Sequence, residues 1–329
     1  MKKICLLALF SVFVGFSGLA FGFQTPEEML NAVVKIRSII PKEAHTASSL
    51  GTEREGNGVV IDTKGHILTA GYLIAEAENI EVIGPAGKTI SAAFVGYDHN
   101  TGFGLLRANQ PLGVEPLKLG ESSKVKGGDP VLVAGYGGAD SVMAARVVSR
   151  KEFTGYWEYI LEDAIYTSPP YADFGGTALI GRDGRLLGIG SLFTQLVIPE
   201  FGLIPCNIFI PIDLLNPILH DLITNGRSSK APRPWLGMNS EESHGRVFVT
   251  RVTAGGPAEK AGLQPGDLIL TVKGMAVNGL ADFYRKVWAL GNAGVDVPLS
   301  ILRETRIREL TVRSADRYQF LMLKPKKMI

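Results

Sequence analysis

The stretch "YADFGGTALIGRDGRLLGIGSL", residues 171–192, combines a pair of glycines with two short apolar runs. The turn Arg182-Asp183-Gly184 separates those runs, so the pattern predicts a β-hairpin that is entered through a glycine-rich bend. Hydrolases present a nucleophile on such a bend, because a tight turn exposes the reactive side chain. The residue before Gly175-Gly176 is Phe174, however, and a phenyl ring cannot attack a carbonyl. The bend must therefore have another purpose in this chain.

Short β-branched runs separated by turn signals surround this stretch from Met29 to about Gly190. Runs of four to seven residues at this spacing predict an all-β barrel or sandwich. The period then changes, because apolar residues from Leu214 to Ile223 follow a helical spacing and Gly226 is at the position of a helix C-cap. The chain of 329 residues is long enough for two domains, and 46% hydrophobic with 20% charged residues suits globular cores.

The first 22 residues have the features of a secretory signal. Lys2 and Lys3 precede the apolar run "ICLLALFSVFVGF", and small residues follow, with cleavage expected after Gly22. An uncleaved membrane anchor is the alternative, because Ile4–Phe23 is just long enough to span a bilayer. In both cases the rest of the chain is expected outside the cytoplasm, in the periplasm or otherwise exported.

Charge and cysteine content exclude several classes of partner. Removal of residues 1–22 deletes two lysines and no acids, so the formal charge falls from +2 to 0, and such a balance does not favour nucleic acid as a partner. Cys5 lies in the signal segment, so Cys206 has no intrachain disulfide partner. Because Cys206 lies in "LIPCNIFIPI", we expect a buried, inert thiol. We expect no cofactor.

The polar, proline-rich stretch "RSSKAPRP" predicts a linker, and a second β-rich module follows it. The tail after that module has no clear role, and its basic cluster is expected to be solvated. The expected organisation is a signal peptide (1–22), a β-rich domain (23–226), a linker (227–234), a second domain (235–318) and a tail (319–329).

The second module resembles a PDZ domain, most specifically in "GPAEKAGLQPGDLILTVKGMAV", residues 256–277, and in "PWLGM", residues 234–238. PDZ domains bind extended peptide ends by adding a strand to a sheet edge, and loop amides hold the terminal carboxylate. The resemblance implies that Phe283 and Val287 help to line the side-chain pocket. It assigns the carboxylate to the backbone of four consecutive residues: Trp235, Leu236, Gly237 and Met238.

The first domain in turn resembles the trypsin-fold domain of the HtrA/Deg family over roughly residues 27–226. The resemblance implies a trypsin-like double β-barrel followed by the PDZ domain, and trimers formed through the protease-like domain. Four segments carry it in the family order: "GNGVVIDTKGHILTAGYLI", "VGYDHNTGFGLLRA", "YADFGGTALIGRDGRLLGI", and "IFIPIDLLNPILHDLITNG" followed by "WLGM".

The three catalytic residues of the family are missing from the matching positions. Tyr72 stands at the histidine position and Gly102 at the aspartate position. When the third segment is anchored on Gly175-Gly176, Phe174 falls at the serine position, Asp173 at the asparagine and Ala172 at the first glycine. No residue from 169 to 176 is Ser, Thr or Cys. Tyrosine, with a pKa near 10, is a poor base at neutral pH, and loss of such a triad costs about 10⁶-fold in rate.

Other residues near these positions lack an evident partner for the same chemistry. We expect His66 at a turn-proximal surface position, His99 on the loop of Gly102, and Phe174 as an apolar plug in the vacated cleft. Ser168 and Thr177 flank the bend without a base. The remaining histidines show no metal-ligand spacing, so no metal site is expected: His45, His220 and His244.

These observations predict an HtrA-like pseudoprotease that binds peptides or protein C-termini as a scaffold, chaperone-like holder or regulator. An active HtrA-type serine endopeptidase in envelope protein quality control is the first alternative. A membrane-anchored structural partner of a larger complex is the second. The family resemblance also implies a homotrimer or association with an active paralogue.

Overall fold

The computed structural model describes residues 25–199 and 202–323. The expected signal peptide and the last six residues of the expected tail lie outside this part of the chain. Among the described residues, no helix is long and apolar enough to cross a membrane.

The first part of the chain forms a closed antiparallel barrel. Two short helices precede or interrupt its strands, α1 (Pro26–Asn31) and α2 (Ala47–Leu50), and a capping box between Thr25 and Glu28 starts α1. The six strands are β1 (Val33–Ile39), β2 (Glu53–Val60), β3 (His66–Ala70), β4 (Asn79–Ile83), β5 (Thr89–Tyr97) and β6 (Phe103–Ala108). They close in the order β1-β2-β3-β6-β5-β4.

A second closed barrel of six strands follows. The strands are β7 (Pro130–Ala134), β8 (Val142–Gly155), β9 (Tyr159–Ser168), β10 (Ala178–Ile180), β11 (Leu186–Ile198) and β12 (Gly202–Pro211). They close in the order β10-β11-β12-β9-β8-β7. The β8–β9 hairpin is long, so its turn at residues 156–158, here called the hairpin tip, extends beyond the barrel wall. The predicted turn at Asp183-Gly184 joins β10 to β11, with Gly184 at a φ of 72°.

A helix at the end of the second barrel returns the chain to the first. This helix, α3 (Asn216–Asn225), ends as predicted at Gly226, which has a left-handed φ of 74°. The backbone N–H of Tyr97 donates to the carbonyl of Gly226 over 3.0 Å. A Cβ at Gly96 would lie 2.9 Å from the carbonyl oxygens of Leu222 and Gly226, so glycine permits this close packing.

The second domain is a six-stranded sheet with two helices. Its elements are β13 (Met238–Ser243), β14 (Arg246–Val252), α4 (Pro257–Lys260), β15 (Leu268–Val272), β16 (Met275–Ala276), α5 (Leu280–Trp288), β17 (Asp296–Arg303) and β18 (Arg306–Arg313). The strands pair in the order β13-β14-β15-β17-β18, with β16 beside β15. The apolar residues of "LADFYRKVWAL", residues 280–290, follow a helical spacing, and the face they form on α5 is buried, including Phe283, Tyr284 and Val287.

The end of the chain packs back on the first barrel. A last helix, α6 (Arg317–Phe320), follows Asp316, whose side chain caps it. The N–H of Met322 donates to Glu76 Oε1 over 2.9 Å, and Leu321 and Leu323 pack against the apolar core of the barrels. Residues 321–323, the described end of the tail, therefore contact the first part of the chain.

Candidate functional site

The glycine-rich bend between β9 and β10 is held by hydrogen bonds to its own hairpin. Gly176 donates its N–H to the carbonyl of Gly190 over 2.8 Å, and Gly190 donates to Thr177 over 2.8 Å. The buried Thr177 hydroxyl donates to the carbonyl of Phe174 over 2.8 Å. Thr177, considered above as a substitute nucleophile, therefore serves to close the bend.

Asn57 on β2 ties the bend to the first barrel. Its side-chain amide nitrogen donates to the carbonyls of Asp173 and Gly175 over 2.9 and 3.1 Å, and its backbone N–H also donates to Gly175 over 2.7 Å. Its side-chain oxygen accepts from the N–H of Tyr136 over 2.8 Å. The bend therefore helps to join the two barrels. This structural role explains a glycine-rich bend that presents no nucleophilic side chain.

The close approach to Asn57 explains the second glycine of the bend. Gly176 has a φ of 74°, and a Cβ there would lie 1.8 Å from the carbonyl oxygen of Asn57. No other residue fits both the backbone conformation and the space. Gly176 is thus required by the junction of the barrels, independently of any catalysis.

The hydroxyl group of Tyr72 faces the bend at Gly175. A Cβ at Gly175 would lie 2.7 Å from Tyr72 Oη, so a side chain at this position would start beside the Tyr72 hydroxyl. Burial raises the pKa of Tyr72 above its ordinary value of 10, which makes the phenolate still less accessible. Phe174, by contrast, is half-buried, and its backbone carbonyl is bonded to Thr177.

Gly102 occupies a position that excludes an ordinary side chain. Its φ is 87°, and a Cβ there would lie 3.1 Å from the Tyr159 hydroxyl and 3.2 Å from Cδ1 of Ile210. The Tyr159 hydroxyl itself donates to the carbonyl of Thr101 over 2.7 Å. The positive φ and these close neighbours favour glycine at this position.

The two histidines considered as substitutes lie away from the bend. His66 is buried rather than on the surface as expected, because its Nδ1 is 2.6 Å from Asp62 Oδ2 and β3 is covered on both faces. His99 lies at the contact with the second domain: its Nδ1 is 3.0 Å from the Tyr97 hydroxyl, and its Nε2 is 2.8 Å from Arg317 Nη1.

The other sequence-based expectations concern Ser168, Cys206 and metal ligands. The Ser168 hydroxyl donates to the carbonyl of Pro205 over 3.0 Å and is directed away from any base. Cys206 is fully buried, and burial raises the pKa of its thiol to about 11, which confirms the prediction of a buried thiol. Within residues 25–199 and 202–323, no group of three His, Cys, Asp or Glu side chains could hold a metal ion.

The loop before β13, residues 235–238, presents consecutive backbone N–H groups to one carboxylate. Leu236 donates to Glu158 Oε2 over 2.8 Å, while Gly237 and Met238 donate to Glu158 Oε1 over 2.8 and 3.2 Å. Trp235 lies in the same loop, but its N–H donates to the carbonyl of Ala315 over 3.1 Å. The nest thus comprises three of the four amides named from the sequence. We call residues 235–238 the carboxylate loop.

Glu158 comes from the hairpin tip of the second barrel and is 4% exposed. Burial raises the pKa of its carboxyl group above the ordinary value of 4.5, although the three N–H groups of the carboxylate loop and nearby Arg317 act in the opposite direction. Its backbone has a φ of 60°, which is uncommon for a residue with a side chain.

The hairpin tip also bonds to the second domain through its main chain. The carbonyl of Tyr156 accepts from the N–H of Ser240 on β13 over 2.8 Å. The N–H of Glu158 donates to the Tyr284 hydroxyl over 3.2 Å, and Arg317 Nη1 donates to the carbonyl of Trp157 over 2.9 Å. Beside the tip, Glu152 on β8 forms an ion pair with Arg285 on α5.

The pocket residues named from the sequence lie behind the carboxylate loop. Phe283 and Val287 are buried in one apolar cluster with Leu236 and Met238, and Ile160 of β9 belongs to the same cluster. The first domain thus contributes an apolar side chain to the core of the second.

Sequence reasoning did not identify Glu158, Arg317 or Asn57. The run "TGYWEY", residues 154–159, offered a weak signal, because a single acidic residue among aromatic ones at a turn is unusual. Its partner in the chain is about 80 residues away, and only the tertiary fold brings the two together.

Comparison with protein families supports both domains. Residues 56–189 match the family described as "Trypsin-like peptidase domain", and residues 234–313 match the family described as "PDZ domain".

Among curated proteins, the "Probable periplasmic serine endoprotease DegP-like" of Pseudomonas putida is 31% identical over 274 residues, which are 78% of this chain and 55% of that protein. The "Periplasmic pH-dependent serine endoprotease DegQ" of Escherichia coli is 26% identical over 272 residues, which are 78% of this chain and 58% of that protein. The chain thus spans little more than half the length of these relatives.

Two solved structures share the fold. The serine endoprotease from Yersinia pestis has a TM-score of 0.51 at 24% identity, over 89% of this chain and 98% of its own. The HtrA-type protease AlgW with decapeptide has a TM-score of 0.52 at 21% identity, over 92% and 100%. The predicted architecture, a trypsin-like double β-barrel followed by a PDZ domain, is confirmed. The chain belongs to the HtrA-type family of trypsin-fold proteins with a PDZ domain.

Proposed function

We propose that this protein is an exported HtrA-type protein that binds polypeptide without cleaving it. The observation that carries the proposal is the position of the Tyr72 hydroxyl, 2.7 Å from where a Cβ at Gly175 would lie, in the region where the family has a base and a nucleophile. A phenol with a raised pKa faces a residue that has no side chain. Neither group can begin acyl transfer at neutral pH.

We infer that Gly175, rather than Phe174, takes the place of the catalytic serine. A side chain at Gly175 would start beside Tyr72 Oη, whereas Phe174 contributes a carbonyl that accepts from Thr177. The inferred position of the serine equivalent differs by one residue from the position expected from the sequence. This difference leaves the chemical conclusion unchanged, because glycine and phenylalanine both lack a nucleophilic atom.

The position of the third triad residue also supports the absence of peptidase activity. Gly102 stands where the family has its orienting acid, and its left-handed backbone and the nearby Tyr159 hydroxyl disfavour a side chain at this position. In a serine protease the three residues act as a unit, and losing it costs about 10⁶-fold, or about 8 kcal/mol of barrier. Substrate binding alone does not restore that loss.

The binding function is assigned to the carboxylate loop and the edge of β13. Three backbone N–H groups of the loop converge on one carboxylate, which is the interaction a PDZ domain makes with a peptide C-terminus. The proposed ligands are peptides or protein C-termini. Export to the periplasm is proposed from the N-terminal sequence and from the relatives named as periplasmic. A homotrimer or association with an active paralogue is proposed from the family resemblance.

A casein assay tests the absence of peptidase activity. The purified mature protein is incubated with unfolded casein and, separately, with a fluorophosphonate that labels activated serines. We expect neither cleavage nor labelling. Cleavage that the fluorophosphonate blocks would contradict the proposal and favour the active endopeptidase.

N-terminal sequencing of the protein recovered from its native envelope tests the export assignment. A start near Phe23 is expected. An intact N-terminus in the membrane fraction would instead favour the anchored structural partner.

A further inference from the structure

The carboxylate loop is already occupied in this structure by a side chain of the same molecule. Glu158 of the hairpin tip receives the three N–H groups of Leu236, Gly237 and Met238. We propose that Glu158 is an intramolecular ligand of the PDZ groove, which free C-termini enter only after the hairpin tip withdraws. This inference rests on the proposed function, because it concerns the same groove.

The main chain of the hairpin tip supports this assignment. Two residues before Glu158, the carbonyl of Tyr156 accepts from the N–H of Ser240 on β13. A peptide that adds a strand to this edge would need that same N–H for a main-chain hydrogen bond. The tip therefore takes both the carboxylate site and a hydrogen-bonding position of the sheet edge. A C-terminal peptide and the hairpin tip cannot be bound there together.

The conformation of Glu158 is consistent with a side chain held by its partners. A glutamate at a φ of 60° is less stable than one in the ordinary helical or extended regions. A buried carboxylate with no partner would also be costly, because charge is poorly solvated in the protein interior. The three backbone N–H groups offset both costs, and the N–H of Glu158 is itself satisfied by the Tyr284 hydroxyl.

Contacts around the hairpin tip hold the closed arrangement from two sides. Arg317 donates to the carbonyl of Trp157 from the C-terminal end of the chain, and Glu152 pairs with Arg285 on α5. Ile160 is buried within the apolar cluster of the second domain. The affinity of a peptide for the groove is reduced by the small fraction of molecules in which these contacts are open.

Substitution of Glu158 tests the proposal in the full mature chain. Glu158→Gly removes the carboxylate and suits the positive φ, so the hairpin keeps its preferred backbone. Glu162→Gln, at an exposed position of the same hairpin, is the matched control. The probe is a pool of fluorescent decapeptides, randomised at the last four positions, with a free carboxyl end or with an amidated end. Circular dichroism checks the fold of each variant.

We expect Glu158→Gly to bind the free-acid pool at least about tenfold more tightly than the wild type, while Glu162→Gln binds it as the wild type does. The amidated pool should bind neither protein, because the loop recognises a carboxylate. Hydrogen exchange provides a second readout. The amides of residues 236–238 should exchange at least about tenfold faster in Glu158→Gly than in the wild type or the control.

The outcomes separate this inference from the proposed function. Equal peptide binding and equal exchange in the wild type and Glu158→Gly would overturn the intramolecular ligand and leave peptide binding intact. Faster exchange without peptide binding in either protein would support the intramolecular ligand and contradict the proposed function. Unequal binding with unchanged exchange would overturn the inference as well, because Glu158 would then not protect the amides of the loop.

Discussion

The glycine-rich bend and the carboxylate loop differ in the chemical groups through which such sites act. The bend of a serine protease acts through side chains, and we propose that Tyr72, Gly102 and Gly175 stand in their places in this chain. The carboxylate loop acts through backbone N–H groups, and all three are present and bonded to Glu158. Substitutions can remove the functional side chains of the first kind of site while its backbone keeps the same fold. Only a substitution by proline removes a donor of the second kind, so we expect such a site to be controlled through its occupant.

The largest expected effect tests whether the bend persists for structural reasons. Gly176→Ala places a Cβ 1.8 Å from the carbonyl of Asn57 at a left-handed φ, so we expect a loss of about 3 kcal/mol or more in unfolding free energy. Gly113→Ala is the control, because Gly113 also has a positive φ but has no atom within 4 Å of the added Cβ. It should lose only about 1 kcal/mol. Urea denaturation measures both, and equal losses would contradict the structural role of the bend.

A second prediction concerns the closed arrangement around the carboxylate loop. Arg317→Met removes the donor to His99 Nε2 and to the carbonyl of Trp157, and we expect a loss of about 1–3 kcal/mol in unfolding free energy. Arg313→Met removes an exposed ion pair with Asp296 and should cost less than about 1 kcal/mol.

Tryptophan fluorescence during urea denaturation suits this measurement. All three tryptophans of the chain lie near the contact, Trp157 in the hairpin tip, Trp235 in the loop and Trp288 on α5. Similar losses in the two arginine variants would indicate that Arg317 does not hold the domains together.

A third prediction concerns pH. Burial, with a further contribution from Arg317, holds the pKa of His99 well below 6.5. Below pH 6.5 the unfolded chain therefore binds a proton that the folded chain does not bind. The stability contributed by His99 is complete above pH 6.5 and is lost as the pH falls, by at most about 1.4 kcal/mol per pH unit.

His99→Asn should remove this dependence of stability on pH, whereas His220→Asn, at an exposed position of α3, is the control.

Glu158 affects the pH dependence of stability in the opposite direction, because its raised pKa favours proton uptake by the folded state above pH 4.5. The other charged or titratable groups near His99 are Tyr97, Asp98, Arg233, Arg317 and Tyr318. Urea denaturation from pH 5 to 8 in a Glu158→Gln background isolates the histidine. An unchanged slope in His99→Asn would contradict the assignment.

The smallest expected effect concerns the three positions at which we propose that the catalytic triad is lost. Tyr72→His with Gly175→Ser returns a base and a nucleophile to facing positions but leaves Gly102 without an acid. In a serine protease, loss of the acid's function alone costs about 10⁴-fold in rate. We therefore expect no detectable casein cleavage, as in the wild type. Fluorophosphonate labelling of the double variant measures the outcome, and rapid labelling would show that the acid is dispensable in this chain.

Several features follow directly from the sequence because they depend on local patterns. The alternation of short strands and turns predicts the β-rich domains, the apolar spacing of α5 predicts its buried face, and Gly226 ends its helix where expected. The proposed loss of the triad also rests on residue identity at positions within recognisable motifs. These inferences need no distances, only residue types and their order.

Other features were decided by tertiary structure. The sequence places His66 at the surface, but its strand is covered on both faces. The sequence assigns Phe174 to the serine position, whereas our inference from the position of Tyr72 is Gly175. Above all, Glu158 and Gly237 are 79 residues apart in the chain, yet the carboxylate of one binds the amide of the other. Local patterns carry no information on such a pair, because the long β8–β9 hairpin and the packing of the two domains bring it together.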